Sequence, residues 1–260
     1  MDTPFYGKLS RLLVSARYEG SVPWNSIDDA TRESKTYHSY ANPADFIECE
    51  VDGFLTGYTR DRMEGQPNHV QLIVEKNTLL NIVKDIAAKF HVPITALRGY
   101  GGPSLWREIE LRWRDKVENH AGPKPPKCIL IIVSDHDPEG LNLPDDAFRS
   151  LRDRHGVEVK AVRPATTLEQ VAEHKLPSNP AKESSSRYRE YVKRTGTTLS
   201  WEVEALEASV LRKCVRNTIL EAIDVDQLNV VQEREAEEKK DIASIRARLG
   251  NQLLEMVSDL

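Results

Sequence analysis

Residues 128–143 read CILIIVSDHDPEGLNL, in which an apolar run leads directly into two aspartates, a proline and a glycine. The apolar run is typical of a strand that is buried on both faces of a parallel sheet. Asp135 and Asp137 are two positions apart, so an extended backbone points both carboxylates to the same side. Pro138 stops the strand, and Gly140 allows a tight turn. Two like charges at the end of a buried strand repel each other, which indicates that a neighbouring group holds them or that a ligand binds between them.

The segments around this strand alternate between strand and helix patterns. Short apolar runs predict the strands, which are expected at 69–75, 92–96, 128–133 and 157–164. Apolar residues three or four positions apart predict the helices, which are expected at 76–90, 104–118, 145–156 and 166–174. This alternation predicts an α/β fold with a mostly parallel sheet and helices on both of its faces.

Less regular segments flank the alternating region, so we divide the chain into three parts. Residues 1–66 are expected to form a small helical unit with helices at 8–18 and 42–61. Residues 67–166 form the α/β domain, and residues 167–260 form a C-terminal helical region. Apolar residues near the C-terminal end recur three or four positions apart, which predicts a long helix with a narrow apolar seam. Such a helix packs back on the body of the protein or pairs with a second copy in a homodimer.

Composition argues against several classes of protein. The chain has 260 residues and a formal net charge of −5, which argues against nucleic-acid binding by bulk charge but leaves local basic patches open. The three cysteines form no C-x-x-C pair, so neither a disulfide framework nor a zinc ribbon is indicated. The N-terminal segment lacks the apolar core of a signal peptide, and no apolar run reaches the roughly 20 residues of a membrane helix. We therefore expect a soluble, cytoplasmic protein with no membrane association.

A third carboxylate is expected beside Asp135 and Asp137. Glu75 ends the first strand, and the carboxyl ends of parallel strands meet at one edge of an open sheet, where ligands bind. Carboxylates that converge in a partly buried cleft repel each other, and a hard divalent cation relieves the repulsion. Mg²⁺ suits such a site, with Mn²⁺ as the other candidate. Taken alone, Asp-x-Asp-Pro is equally explained as a polar turn that caps a helix, and this alternative stays open.

The order of these residues resembles the Toprim domain of topoisomerases, primases and related nucleases. That family carries a glutamate after the first strand, a glycine in the turn after the second, and Asp-x-Asp after the third. The matching positions are Glu75, the turn RGYGG (98–102), Asp135 and Asp137. The string SDHDPEGLNL is most similar to the A subunit of type IIB topoisomerases and to the related meiotic break-forming proteins, which carry a similar Asp-x-Asp-Pro-x-Gly.

This resemblance covers roughly residues 68–165 and implies a Rossmann-like sheet and metal-dependent cleavage of nucleic acid. It implies that Asp135 and Asp137 bind Mg²⁺ and that Glu75 binds the metal or acts as a general acid/base. In this branch a winged-helix domain precedes the Toprim domain, and residues 1–66 are similar to the rear part of one. The tyrosine of that domain, which attacks DNA, usually lies in an Arg-x-x-Tyr-Tyr string, and this chain contains no such string.

Three functions are therefore expected from the sequence. The first is an enzyme that uses the metal to cleave phosphodiesters of nucleic acid, most specifically of DNA. The second is a catalytically idle module that binds nucleic acid or takes part in an assembly. The third is a topoisomerase-like transesterase whose tyrosine lies on a missing segment or on a partner subunit.

Basic residues near the acidic positions are candidates for contacts with nucleic acid. Lys76 follows the first strand and Arg98 lies in the glycine-rich turn, where both can face a phosphate. Segment 181–194 interleaves basic residues with tyrosines, a pattern that suits a nucleic-acid backbone or single strand. The candidates in this segment are Lys182, Arg187 and Arg189. For each of these residues the alternative is an ordinary solvated side chain.

Two more glutamates and a histidine lie near the acidic positions or between them. Glu202 and Glu204 alternate along SWEVEAL (200–206), which is expected to be a short strand, and they can supply a further acid to the site. His136 lies between the two aspartates and should point to the other side of the strand, so no catalytic role is expected for it.

Overall fold

The computed structural model describes residues 3–26, 37–97, 102–120 and 124–257. The chain forms two compact units, residues 1–43 and 44–260. The first unit contains α1 (Thr3–Tyr18), which ends before a 3-10 turn at Trp24–Ser26. The second unit contains the sheets and the C-terminal helices. The three-part division of the chain expected from the sequence stays a prediction.

The second helix is shorter than the sequence pattern predicts. We expected a helix over 42–61, but α2 spans Pro43–Gly53. The hydroxyl of Thr56 donates a hydrogen bond of 2.8 Å to the carbonyl of Gly53 at the helix end. Leu55 has a φ of 57°, which lies in the left-handed region and does not continue a helix. The prediction of a helix at 54–61 was wrong, because the spacing of apolar residues does not indicate where this helix ends.

The expected parallel sheet is present in the second unit. Its four strands have the spatial order β2-β1-β3-β4, and each neighbouring pair is parallel. The strands are β1 (Asn68–Val74), β2 (Ile94–Ala96), β3 (Lys127–Val133) and β4 (Val159–Ala165). Val74 pairs with Val133 across the β1–β3 ladder, so these two strands end at the same level.

Helices cover both faces of this sheet, as predicted. They are α3 (Asn77–Lys89), α4 (Pro103–Glu118), α5 (Leu143–Ala147), which continues into a π-helical turn at Phe148–Asp153, and α8 (Ala208–Ala222). The short helix α6 (Leu168–His174) follows β4 and contains no buried residue. Strand residues alternate between two buried clusters, since successive side chains of a strand point to opposite faces. Leu72 lies in one cluster with α3 and α8, and Ile73 lies in the other with α4 and α5.

The C-terminal region contains a small ribbon and two long helices. A two-stranded antiparallel ribbon joins β5 (Asn179–Pro180) to β6 (Leu199–Ser200), and α7 (Tyr188–Thr195) lies between them in sequence. The last described helix is α9 (Val225–Val257), which confirms the long helix predicted from the apolar seam. Part of this helix packs on the body of the second unit, where Glu238 accepts a hydrogen bond of 2.6 Å from the hydroxyl of Tyr58. Pairing of this helix with a second copy stays a prediction.

The strand order places one crevice at the carboxyl edge of the sheet. From β1 the chain crosses to β2 on one side and then to β3 on the other, so the direction of winding reverses between β1 and β3. In doubly wound sheets, ligands bind outside the strand ends at this switch point. The loops after Val74 and Val133 therefore carry the first candidates for a functional site. No helix in the described ranges is both long and apolar enough to cross a membrane.

Candidate metal centre

Glu75 joins the ends of β1 and β3. Its N–H donates to the carbonyl of Val133 at 3.0 Å, which continues the ladder beyond the last paired residues. Its carboxylate accepts a hydrogen bond of 3.0 Å from the N–H of Asp135. Burial raises the pKa of Glu75, while this amide hydrogen bond acts in the opposite direction. The expected proximity of Glu75 and Asp135 is therefore present in the fold.

Asp135 is the most buried acid of the region, with 3% of its surface exposed. One carboxylate oxygen accepts a hydrogen bond of 2.8 Å from the N–H of Val203, and the other lies 2.8 Å from the ammonium of Lys76. Burial raises the pKa of Asp135 to about 7, although the contacts with Lys76 and Val203 favour the charged form. Because burial opposes the charged form of Asp135, a cation that binds this carboxylate would stabilise that form.

Asp137 closes the loop that follows β3. One of its carboxylate oxygens accepts hydrogen bonds from the N–H of Glu139 at 3.0 Å and from the N–H of Gly140 at 2.6 Å. These are the contacts of the polar turn that the alternative interpretation expected. The role of Asp137 as a metal ligand stays a prediction.

The loop is compact because Gly140 approaches the backbone of Asp135. A Cβ atom at position 140 would lie 2.3 Å from the carbonyl oxygen of Asp135, closer than two such atoms can approach. The hydroxyl of Ser134 donates a hydrogen bond of 2.9 Å to the carbonyl of Gly140, which fixes the same turn. The glycine is therefore required by close backbone packing.

We expect Gly140→Ala to lower the free energy of unfolding by about 1–3 kcal/mol, the range for an inserted methyl that forces a backbone shift. The loss is measured by urea denaturation. Gly57→Ala is the matched control, because a Cβ at that position meets no atom of the described residues within 4 Å. Equal stabilities of the two variants would contradict the close packing of this loop.

Two further acids reach Asp135 from the segment between β6 and α8. One carboxylate oxygen each of Asp135, Glu202 and Glu204 lies within 4.8 Å of the others, and among the described residues these three form the acidic group with metal-ligand spacing. The prediction that Glu202 and Glu204 add acid to the site thus agrees with the geometry. The expected strand was wrong, because Val203–Ala205 form a 3-10 turn.

Backbone hydrogen bonds hold this segment against the loop after β3. His136 and Trp201 exchange N–H to carbonyl hydrogen bonds of 2.8 and 3.1 Å, which form an isolated antiparallel bridge. The ring of His136 is buried beside Tyr191 and Trp201, and its Nδ1 lies 3.0 Å from the carbonyl of Thr166. These contacts pack the ring of His136 between the loop after β3 and the segment around Trp201.

Lys76 lies among the three carboxylates. Its ammonium is 2.8 Å from Asp135 and 3.2 Å from Glu204, and it also contacts Glu202. Burial alone would lower the pKa of Lys76, but the hydrogen bonds to Asp135 and Glu202 raise it well above its ordinary value. Lys76 therefore acts as an internal counter-ion of the acidic group. Its contact with a phosphate, expected from the sequence, stays a prediction.

Sequence reasoning missed a second cation, Arg163, near the carboxyl end of β4. Its guanidinium donates to the hydroxyl of Ser134 at 2.9 Å and to the carbonyl of Asp135 at 3.0 Å. Burial lowers the pKa of Arg163 to about 10, while the nearby carboxylates oppose this shift. Arg163 thus braces the backbone that carries Asp135. Arg163 could have been identified from the sequence by its position near the carboxyl end of the fourth predicted strand.

The candidates for nucleic-acid contacts have different environments. Arg98 lies outside the described residues, and Lys182 and Arg189 are exposed. Arg187 forms ion pairs with Glu139 at 3.1 Å and with Asp146 at 3.0 Å, so its charge is largely compensated within the fold. The pairing with Glu139 does place the start of α7 beside the turn closed by Asp137.

The arrangement combines buried Asp135 with half-buried Glu75 and with exposed Glu202 and Glu204 at a switch point. Lys76 contacts three of these carboxylates, and Arg163 holds the backbone of Asp135. Oxygen ligands of this kind suit hard divalent cations, and Mg²⁺ commonly binds through a few carboxylates and keeps waters for a substrate. A scan against models of known protein families gave no match for this chain, and a search of curated proteins gave no significant match.

Proposed function

We propose that this protein is a Mg²⁺-dependent enzyme of the Toprim type that cleaves phosphodiester bonds of DNA. The observation that carries the proposal is the convergence of Asp135, Glu202 and Glu204 at the carboxyl edge of the sheet, with Glu75 bonded to the amide of Asp135. Mn²⁺ is expected to replace Mg²⁺, since both take oxygen ligands.

Each acid has a defined task in this proposal. Asp135, Glu202 and Glu204 hold the cation, and a bound Mg²⁺ stabilises negative charge on the attacking and leaving oxygens of a phosphate. Glu75 is half-buried next to this group, and burial raises its pKa, which favours a role as a proton donor or acceptor. Asp137 shapes the turn that carries Asp135 and, by the Toprim resemblance, is a further candidate ligand.

DNA is favoured as the substrate by two features of the chain. The order of Glu75, Asp135 and Asp137 along the strands is similar to that of enzymes that cut or rejoin DNA. The exposed basic residues Lys182 and Arg189 lie in the segment next to the turn after β3, where they can contact a phosphate backbone.

The contacts of Lys76 favour one alternative function. Its ammonium already contacts all three carboxylates and offsets part of their repulsion without a metal, as expected for an idle module that binds nucleic acid or supports an assembly. Such a module would show salt-dependent DNA binding but no cleavage. A transesterase whose tyrosine comes from elsewhere would instead leave a covalent protein–DNA adduct, which a denaturant traps.

We expect the double variant Glu202→Gln with Glu204→Gln to nick supercoiled plasmid DNA about tenfold more slowly than the wild type in Mg²⁺. The reason is that even outer-shell partners of a metal change affinity or activity about 10–100-fold. Glu173→Gln is the matched control, since the side chain of Glu173 is 72% exposed and lies outside the acidic group. Nicking at the wild-type rate by the double variant would contradict the proposed site, and nicking by none of the proteins would favour the idle module.

A further inference from the structure

A second cleft lies at the opposite, amino-terminal edge of the sheet. It has a volume of about 190 Å³ and is lined by the start of β1, by Pro93 before β2, and by the last turns of α4. This volume exceeds by far the roughly 10–15 Å³ that a single water requires. The seven residues of β1 separate the cleft from the acidic group by about 20 Å, given a rise of about 3.3 Å per residue.

The cleft exists because β2 is short. Its three residues pair with β1 only from Leu72 onward, so the beginning of β1 has no strand beside it on this edge. The N–H of Leu72 points toward β2 and donates to the carbonyl of Pro93 at 2.9 Å. Because alternate residues of a strand present their peptide groups to the same side, the N–H of Val70 faces the cleft.

Two side chains in the wall of the cleft carry unsatisfied donors. Nε and Nη2 of Arg112 are buried and have no hydrogen-bond partner among the described residues. His69 is 8% exposed, and its Nε2 is likewise buried without a partner there. A buried polar group without a partner costs about 1–3 kcal/mol, and both of these residues line the same cleft, so a ligand that reaches their nitrogen atoms from the cleft would relieve this cost.

The formal charges that line the cleft balance, with Arg112 and Lys116 against Asp61 and Asp115, so an anion would be held by directed hydrogen bonds rather than by net charge. The acids of the wall make local hydrogen bonds: Asp61 accepts from the N–H of Met63 at 2.9 Å, and Asp115 accepts from the side chain of Asn119 at 3.2 Å. Lys116 donates to a backbone carbonyl and adds positive charge beside Arg112.

His69 contributes a neutral donor to the same wall. Burial lowers its pKa to about 4, and the positive charges of Arg112 and Lys116 act in the same direction. A neutral imidazole with its hydrogen on Nε2 donates one hydrogen bond without adding a charge. His91 also lines the cleft, but its Nδ1 already accepts from the N–H of Arg62 at 3.3 Å.

We propose that this cleft binds a small oxyanion, a phosphate or carboxylate group, between the guanidinium of Arg112 and Nε2 of His69. The planar fork of an arginine matches two oxygens of either group, and Lys116 and the amide of Val70 are placed to assist. The proposal rests on the unsatisfied donors of this cleft and is independent of the function proposed for the acidic group.

The test is isothermal titration of the full chain, in EDTA, with inorganic phosphate and separately with succinate. EDTA keeps a divalent ion from carrying phosphate to the acidic group. We expect one anion to bind at a single site, and which one binds identifies the oxyanion class. Arg112→Met should weaken its binding by at least about tenfold, a loss of about 1.4 kcal/mol. Arg107→Met, a change on the same helix outside the cleft, should leave the affinity unchanged.

Two further variants separate a loss of anion binding from a loss of folding and from binding at the acidic group. Arg112→Lys retains the charge but loses the fork, so it should also weaken binding if Arg112→Met does not fold. Asp135→Asn should bind the anion as the wild type does, because the acidic group lies at the other edge of the sheet. The proposal is overturned if neither anion binds, or if the Arg112 and Arg107 variants bind with equal affinity.

Discussion

Asp135→Asn is expected to reduce Mg²⁺-dependent nicking of plasmid DNA by at least about 100-fold while the protein stays folded. Asp135 is the buried member of the acidic group and contacts both Lys76 and Val203. Asparagine has nearly the same shape and still accepts the hydrogen bond from the N–H of Val203, but it removes the charge that a divalent ion requires. The expected loss exceeds that of the Glu202 and Glu204 double variant, because Asp135 is the buried ligand of the three and even outer-shell changes cost about 10–100-fold.

The experiment compares nicking rates, Mg²⁺ affinity and thermal unfolding of Asp135→Asn with those of Asp145→Asn. Asp145 is exposed on α5 and lies outside the acidic group, so its variant should match the wild type in all three measurements. A folded Asp135→Asn protein that nicks DNA at the wild-type rate would eliminate the metal centre as the source of activity. An unfolded variant would instead assign Asp135 a structural role.

The α/β architecture could be predicted because apolar runs and helical periodicity are local signals. The runs ending at Val74 and Val133 have the length and composition of strands buried on both faces, and they form the centre of the parallel sheet. The end of α2 could not be predicted in the same way. It depends on the backbone conformation of Leu55 and on a hydroxyl bond from Thr56, which apolar spacing does not encode.

The part of the candidate site that lies at the ends of the strands could be predicted from the sequence. Glu75 and Asp135 follow neighbouring parallel strands, so their proximity follows from the topology. The local sequence could not decide whether Asp137 faces a metal or closes a turn, because Asp-x-Asp-Pro suits both. Glu202 approaches Asp135 from a segment 67 positions later in the chain, through the bridge between His136 and Trp201. The alternation in SWEVEAL (200–206) indicated Glu202 and Glu204 as further acids, but the spacing of their oxygens from Asp135 depends on tertiary packing that no local pattern specifies.

The position of Lys76 leads to a second large expected effect. We expect Lys76→Met to destabilise the metal-free protein by about 2 kcal/mol and to raise its affinity for Mg²⁺ by about 30-fold. In the metal-free protein the ammonium offsets the repulsion among Asp135, Glu202 and Glu204. Breaking a fully buried ion pair costs 3–5 kcal/mol. The value expected here is smaller because the side chain of Lys76 is 36% exposed and is partly screened by solvent.

The gain in affinity follows because the ammonium and the divalent ion compete for the same carboxylate oxygens. Thermal unfolding with and without Mg²⁺ measures both effects, since a ligand that binds only the folded state stabilises it in proportion to the logarithm of its affinity. Lys84→Met is the matched control, because Lys84 is an exposed lysine of α3, the helix that begins directly after Lys76, and it contacts Asn81. If Mg²⁺ stabilises Lys76→Met no more than Lys84→Met, the three carboxylates serve as partners of a lysine, and the idle module becomes the better account of this protein.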